Sequence, residues 1–93
     1  MTFPDRLDNA KVLFYTEEND FGVLRYTTGE IAARYRFLAI CKYDKEDIYY
    51  LFKCNGQFEV EMDQDYHTLD ACMRSVAEMY GKEISWIEKS AAC

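Results

Sequence analysis

The segment Ile48 to Met62, IYYLFKCNGQFEVEM, constrains the fold more than any other stretch of the chain. It holds two runs dense in aromatic and β-branched residues, parted by Asn55-Gly56, and an Asn-Gly pair between such runs is the strongest local signal for a β-hairpin. The second run alternates, with Phe58, Val60 and Met62 on one face and Gln57, Glu59 and Glu61 on the other. A two-residue loop would set Phe52 against Glu59 and Tyr50 against Glu61. A three-residue loop, Cys54-Asn55-Gly56 with Gly56 in the left-handed region, sets Phe52 against Phe58, Tyr50 against Val60 and Ile48 against Met62. Only the second register gives a continuous apolar face, so the three-residue loop is the expectation.

Upstream, Lys11 to Thr16 and Phe21 to Thr27 read as strands joined into a first hairpin by the acidic loop Glu17-Glu18-Asn19-Asp20. Residues 1 to 10 read as an irregular lead-in that drapes over the fold. A turn at Thr28-Gly29 sets Tyr26 beside Ile31 and Leu24 beside Ala33. The segment from Glu30 fits two templates. Ile31, Ala33, Tyr35 and Phe37 alternate as a strand, whereas Ile31, Tyr35 and Leu38 form a helical stripe behind a Thr27 to Glu30 capping box. A strand from about Arg34 onward is favoured, with residues 28 to 36 left open. Pairing across Asp44-Lys45-Glu46-Asp47 sets Cys41 against Tyr50 and Ala39 against Phe52, so the face inferred from the Asn-Gly hairpin reappears one strand earlier.

After Asp65 the period changes from two to 3.6. Leu69, Cys72, Met73, Val76, Ala77 and Tyr80 form one stripe, with Thr68 placed as N-cap and Gly81 just past the end. The expected class is α+β: an antiparallel four- to five-stranded β-meander with one C-terminal amphipathic α-helix, packed on the face of Tyr50, Phe52, Phe58 and Val60. Ile84, Trp86 and Ile87 should add a short edge segment, and Ser90 to Cys93 should fray. At 93 residues the chain is one domain, 1-93, with room for one core.

The net charge of −6 argues against nucleic acid and anionic membrane as partners, because both are bound through Lys and Arg. No run approaches a membrane span and the N-terminus lacks a signal-peptide core, which points to a cytoplasmic protein. The four cysteines include no C-x-x-C pair; Cys41, Cys54 and Cys72 are expected reduced and buried, and Cys93 accessible. His67, the single histidine, stands just before the helix N-cap, and no nucleophile motif, phosphate loop or dinucleotide fingerprint is present. The reading is a protein that is not an enzyme and needs no cofactor.

Two surfaces are candidates for partner binding. Glu59, Glu61, Asp63 and Asp65 recur at period two and would line one strand face. Neighbours on one strand face lie about 6.5 to 7 Å apart, too far to share one ion, so no metal site is assigned. Such a stripe suits either a solvated edge that resists aggregation or a basic partner. Leu38, Ile40, Tyr49 and Leu51 meet on the sheet face opposite the expected helix, which must be covered by the N-terminal segment, a second subunit or a partner. Tyr49 and Leu51 are the anchor candidates there.

The pattern Thr68-Leu69-Asp70-Ala71, Ala77-Glu78, Tyr80-Gly81 and Trp86-Ile87, following an acidic strand, resembles the C-terminal part of small bacterial immunity proteins that neutralise polymorphic and contact-dependent toxins. The resemblance covers about thirty residues and carries over no site residue. It implies a non-enzymatic protein-binding module that occludes a basic toxin or enzyme. The alternative is a structural or regulatory homo-oligomer, in its simplest form a homodimer joined through the outer apolar face.

Overall fold

The computed structural model describes residues 2–89. Strands β1 (Arg6–Leu7), β2 (Ala10–Tyr15), β3 (Val23–Arg25), β4 (Ile31–Arg34), β5 (Phe37–Lys42), β6 (Tyr49–Cys54) and β7 (Val60–Tyr66) are followed by helix α1 (Leu69–Tyr80) and strand β8 (Ile87–Glu88). The fold is α+β, with the helix packed against an antiparallel sheet. That sheet is 6-stranded, ordered β1-β2-β5-β6-β7, with β8 added to β2, while β3 and β4 pair only with each other.

The expected first hairpin is corrected: β2 pairs with β5, through Val12 and Cys41, Phe14 and Ile40, and Tyr15 and Ala39, and not with β3. β5 buries Leu38, Ala39, Ile40 and Cys41 in succession, away from water, so the backbone N–H and C=O groups along both of its edges need strand partners. β2 takes one of these edges. The intervening chain swings out as the β3–β4 hairpin, held at its base where Phe21 N–H donates to the Tyr35 carbonyl and Tyr35 N–H donates to the Gly22 carbonyl (both 2.9 Å). Residues 28 to 36 resolve as a turn and a strand, interrupted at Tyr35-Arg36 before β5. Leu24 lies opposite Ala33 as expected, but a bulge sets Arg25, not Tyr26, against Ile31.

The pairing across residues 44–47 stands, with Cys41 opposite Tyr50 and Ala39 opposite Phe52. The Asn-Gly loop does not. Cys54 pairs with Val60, Lys53 with Met62, Phe52 with Asp63 and Tyr50 with Asp65, so the loop runs from Asn55 to Glu59 and a bulge follows it. Its left-handed residue is Phe58 (φ 62°), not Gly56. Two contributions favour this longer loop. The Asn55 side-chain carbonyl accepts from Gln57 N–H (2.8 Å) and Glu59 N–H (3.0 Å), replacing a backbone turn. The Phe58 ring also reaches Phe3 and Phe37, at centroid distances of 5.1 and 4.7 Å, and that packing offsets the strain of a positive φ.

The helix ends as its sequence requires. Thr68 Oγ1 accepts from Ala71 N–H at 3.0 Å, and Gly81 (φ 67°) closes a Schellman turn in which Lys82 N–H donates to the Ala77 carbonyl. Its location is corrected. α1 packs on the face of Leu38, Ile40 and Leu51, inserting Cys72 and Val76, with Tyr66, Leu69, Met73 and Tyr80 around them. Tyr50, Phe52, Phe58 and Val60 belong to the opposite face, which Phe3 and Leu7 cover from the N-terminal segment. Phe3 stacks on Tyr15 at 4.6 Å and brings an aromatic plug to an aromatic face. Each sheet face is therefore covered by the chain itself.

Cys41, Cys54 and Cys72 are free and buried, as expected. Ile87–Glu88 is the expected edge segment, antiparallel to Phe14 and Tyr15. The expectations for Ser90 to Cys93, including an accessible Cys93, fall outside the described residues.

Candidate protein-binding surface

The two proposed anchors are not on an open surface. Leu51 is 1% exposed beneath α1, so it is a core residue and cannot serve as a contact. Tyr49 is half-buried against the same helix-side core, opposite Tyr66, with Lys42 Nζ 5.3 Å from its ring centroid. The expected outer patch of Leu38, Ile40, Tyr49 and Leu51 is the seat of the helix. Apolar residues occupy both sheet faces, and the helix packs on the one opposite to that expected.

The acidic residues are at the surface but do not form a single row. The bulge between Val60 and Met62 breaks their period. Glu59 and the half-buried Glu61 stay at the loop end, both accepting from Asn55 Nδ2 at 2.8 and 2.7 Å. Asp63 and Asp65 are exposed farther along β7, on the face of Phe52 and Tyr50. Among the described residues no three of His, Cys, Asp or Glu come close enough to hold a metal ion.

Around Asp63 and Asp65 the structure assembles a surface that local pattern reading missed. Tyr43 and Tyr50 meet edge to face at 5.2 Å, both half-buried, and the Tyr50 hydroxyl donates to Glu46 Oε1 at 2.9 Å. That bond, then burial and the charges of Glu46 and Asp65, hold the Tyr50 phenol above its ordinary pKa. Tyr43 is raised first by burial and then by Asp8, Asp63 and Glu46. Glu46, bonded to Tyr50, and Asp65, opposite Tyr50 on β7, thus lie beside the pair, with Asp63 one step farther along the same face. Asp8 arrives there because Asp8-Asn9, both at positive φ (46° and 70°), make the tight turn that pairs Leu7 with Ala10. The Asp-Asn pair was the available signal for this turn. Asp44 and Asp47 are paired, with Arg6 and Lys42 (both 3.3 Å), whereas Asp8, Asp63 and Asp65 have no ion-pair partner among the described residues.

The remaining reactive groups are enclosed. Burial pushes the Cys54 and Cys72 thiols up to about 12 and raises Cys41 as well, so all three are neutral at physiological pH. Lys53, 8% exposed, lies opposite Met62 with Nζ 5.1 Å from the Tyr35 ring centroid and 5.5 Å from that of Tyr80. Burial lowers its amine pKa. His67 is exposed, one residue before the N-cap. No helix among the described residues is long and apolar enough to cross a membrane.

Compared with known protein families, curated proteins and solved structures, the chain has no significant match.

Proposed function

We propose that this chain is a non-enzymatic, cytoplasmic protein-binding module of the immunity or inhibitor type, which occludes a basic toxin or enzyme. The observation that supports this reading is the carboxylate surface of Asp8, Glu46, Asp63 and Asp65 around the half-exposed Tyr43–Tyr50 pair. Rim carboxylates steer and select a cationic partner, and aromatic rings that become fully buried on contact supply most of the affinity. Tyrosine faces also attract Lys and Arg directly. Tyr43 and Tyr50 accordingly replace Tyr49 and Leu51 as anchors. The homodimer alternative drew on an uncovered apolar sheet face, and α1 now occupies that face.

The test is capture from a lysate of the native cell with wild-type protein and with Asp63→Lys/Asp65→Lys. A basic protein retained by the wild type at low salt, released as salt rises, and lost from the double variant is the expected outcome. Retention that is indifferent to both the charge reversal and salt would overturn the reading.

A further inference from the structure

The two edges of the main sheet differ in kind. At one end β2 is flanked by β1 and β8, each 2 residues long, which together occupy its outer side. At the other end β7, 7 residues long, pairs with β6 alone among the described residues. The exposure pattern sharpens the contrast. β6 buries Leu51, Phe52, Lys53 and Cys54 in succession, whereas its neighbour β7 exposes Met62, Asp63, Gln64 and Asp65 in succession. Neither α1 on one face nor the N-terminal segment on the other encloses this part of β7. Among the described residues its outer backbone N–H and C=O groups have no protein partner, and its side chains from Met62 to Asp65 are exposed, with Met62 touched by the Tyr35 hydroxyl.

From this geometry we infer that β7 is a docking edge, on which a basic partner adds an extended segment as a further strand of the sheet. The inference rests on the proposed function and specifies how the partner is held. The added strand carries Lys or Arg at alternating positions i and i+2, opposite Asp63 and Asp65 on the face that also holds Tyr50. Backbone bonds to β7 supply register and the paired charges supply selection. A second copy of this chain does not fit the same edge. Residues directly opposite in an antiparallel pair share a face, so two β7 strands related by a two-fold axis would set Asp63 against Asp65 or, in a shifted register, one of the two against its own copy, and like charges so placed are destabilising. The charge pattern that admits a basic strand therefore excludes self-pairing. An edge charged only to resist aggregation would bind neither.

The experiment uses three nine-residue probes: a peptide of alternating Lys and Val, the same peptide with all internal amides N-methylated, and an alternating Glu and Val peptide. Titrated into isotope-labelled protein at low salt, the Lys-Val peptide should shift amide resonances along residues 60–66 and slow hydrogen exchange there. N-methylation, which keeps every charge but removes the strand-forming N–H groups, should weaken binding at least about tenfold, and Asp63→Lys/Asp65→Lys should do the same. The Glu-Val peptide should not bind. Equal binding of the methylated and unmethylated Lys-Val peptides would overturn strand addition while leaving the basic-partner reading in place. Failure of both to bind would overturn the two together.

Discussion

Asn55 and Gly56 stand side by side in the β6–β7 loop with very different duties. The Asn55 amide accepts from two backbone N–H groups and donates to two carboxylates, Glu59 and Glu61. Gly56 does not have a positive φ, and a Cβ built on it would meet its nearest atom at 3.8 Å, an ordinary contact. Asn55→Ala should therefore cost about 1–3 kcal/mol, and Gly56→Ala should stay within about 0.5 kcal/mol of wild type in urea unfolding. The reverse ranking would restore the three-residue loop with Gly56 in the left-handed position. The dipeptide was legible as a turn, but its length was not. Besides the Asn55 bonds, the longer loop is favoured by the Phe58 ring meeting Phe3, a contact between residues far apart in the chain that no local pattern encodes.

The elements that read most clearly were those whose signals are local and mutually consistent. Thr68, the apolar stripe and Gly81 each specify α1 independently, and β5 and β6 pair across residues 44–47 in the register that their apolar faces require. The side on which α1 packs was not legible, because β5 and β6 are apolar on both faces and periodicity does not distinguish them. The buried thiols of these three elements give a test of the packing. Cys41 on β5, Cys54 on β6 and Cys72 on α1 are each 0% exposed, and each has its pKa raised by burial. Above about pH 8.5 the unfolded chain loses these protons while the folded chain keeps them, so this contribution to stability is complete below that pH and falls as pH rises towards about 12. Tyr80, also pushed up to about 12 by burial, adds to the loss above about pH 10. Lys53 acts in the opposite sense, since its lowered pKa leaves the unfolded chain holding the extra proton. It is one group against three thiols. The melting temperature should drop steeply between about pH 8.5 and pH 10.5, and Cys72→Ala should flatten that drop while lowering stability near neutrality. A melting temperature unchanged up to about pH 10 would contradict the buried thiols.

At the scale of the whole molecule, the local patterns do not say which segment covers which face. The N-terminal stretch, read as a loose lead-in, supplies Phe3 and Leu7 as the plug of one sheet face, while the helix closes the other. The candidate binding surface was half legible for the same reason. The acidic residues are read directly from the chain, whereas the grouping of Asp8, Tyr43, Tyr50 and Asp63 depends on where the Asp8-Asn9 turn and the turn at residues 44–47 fall relative to β6 and β7. The flank of β2 carries a different implication. Lys89 Nζ donates to the Phe3 carbonyl and pairs with Asp5 at 3.2 Å, while its backbone N–H donates to the Leu13 carbonyl at 2.8 Å. Residues 3 and 89 are thus spatial neighbours, and a short glycine-serine linker is enough to join residue 89 to residue 2. A circular permutant opened between the exposed Lys45 and Glu46 should melt cooperatively with the far-ultraviolet spectrum of the parent, because every strand pair except the connection across residues 44–47 is preserved. In such a protein the linear order of the strands is set by where the circle is cut, not by which strands hold one another.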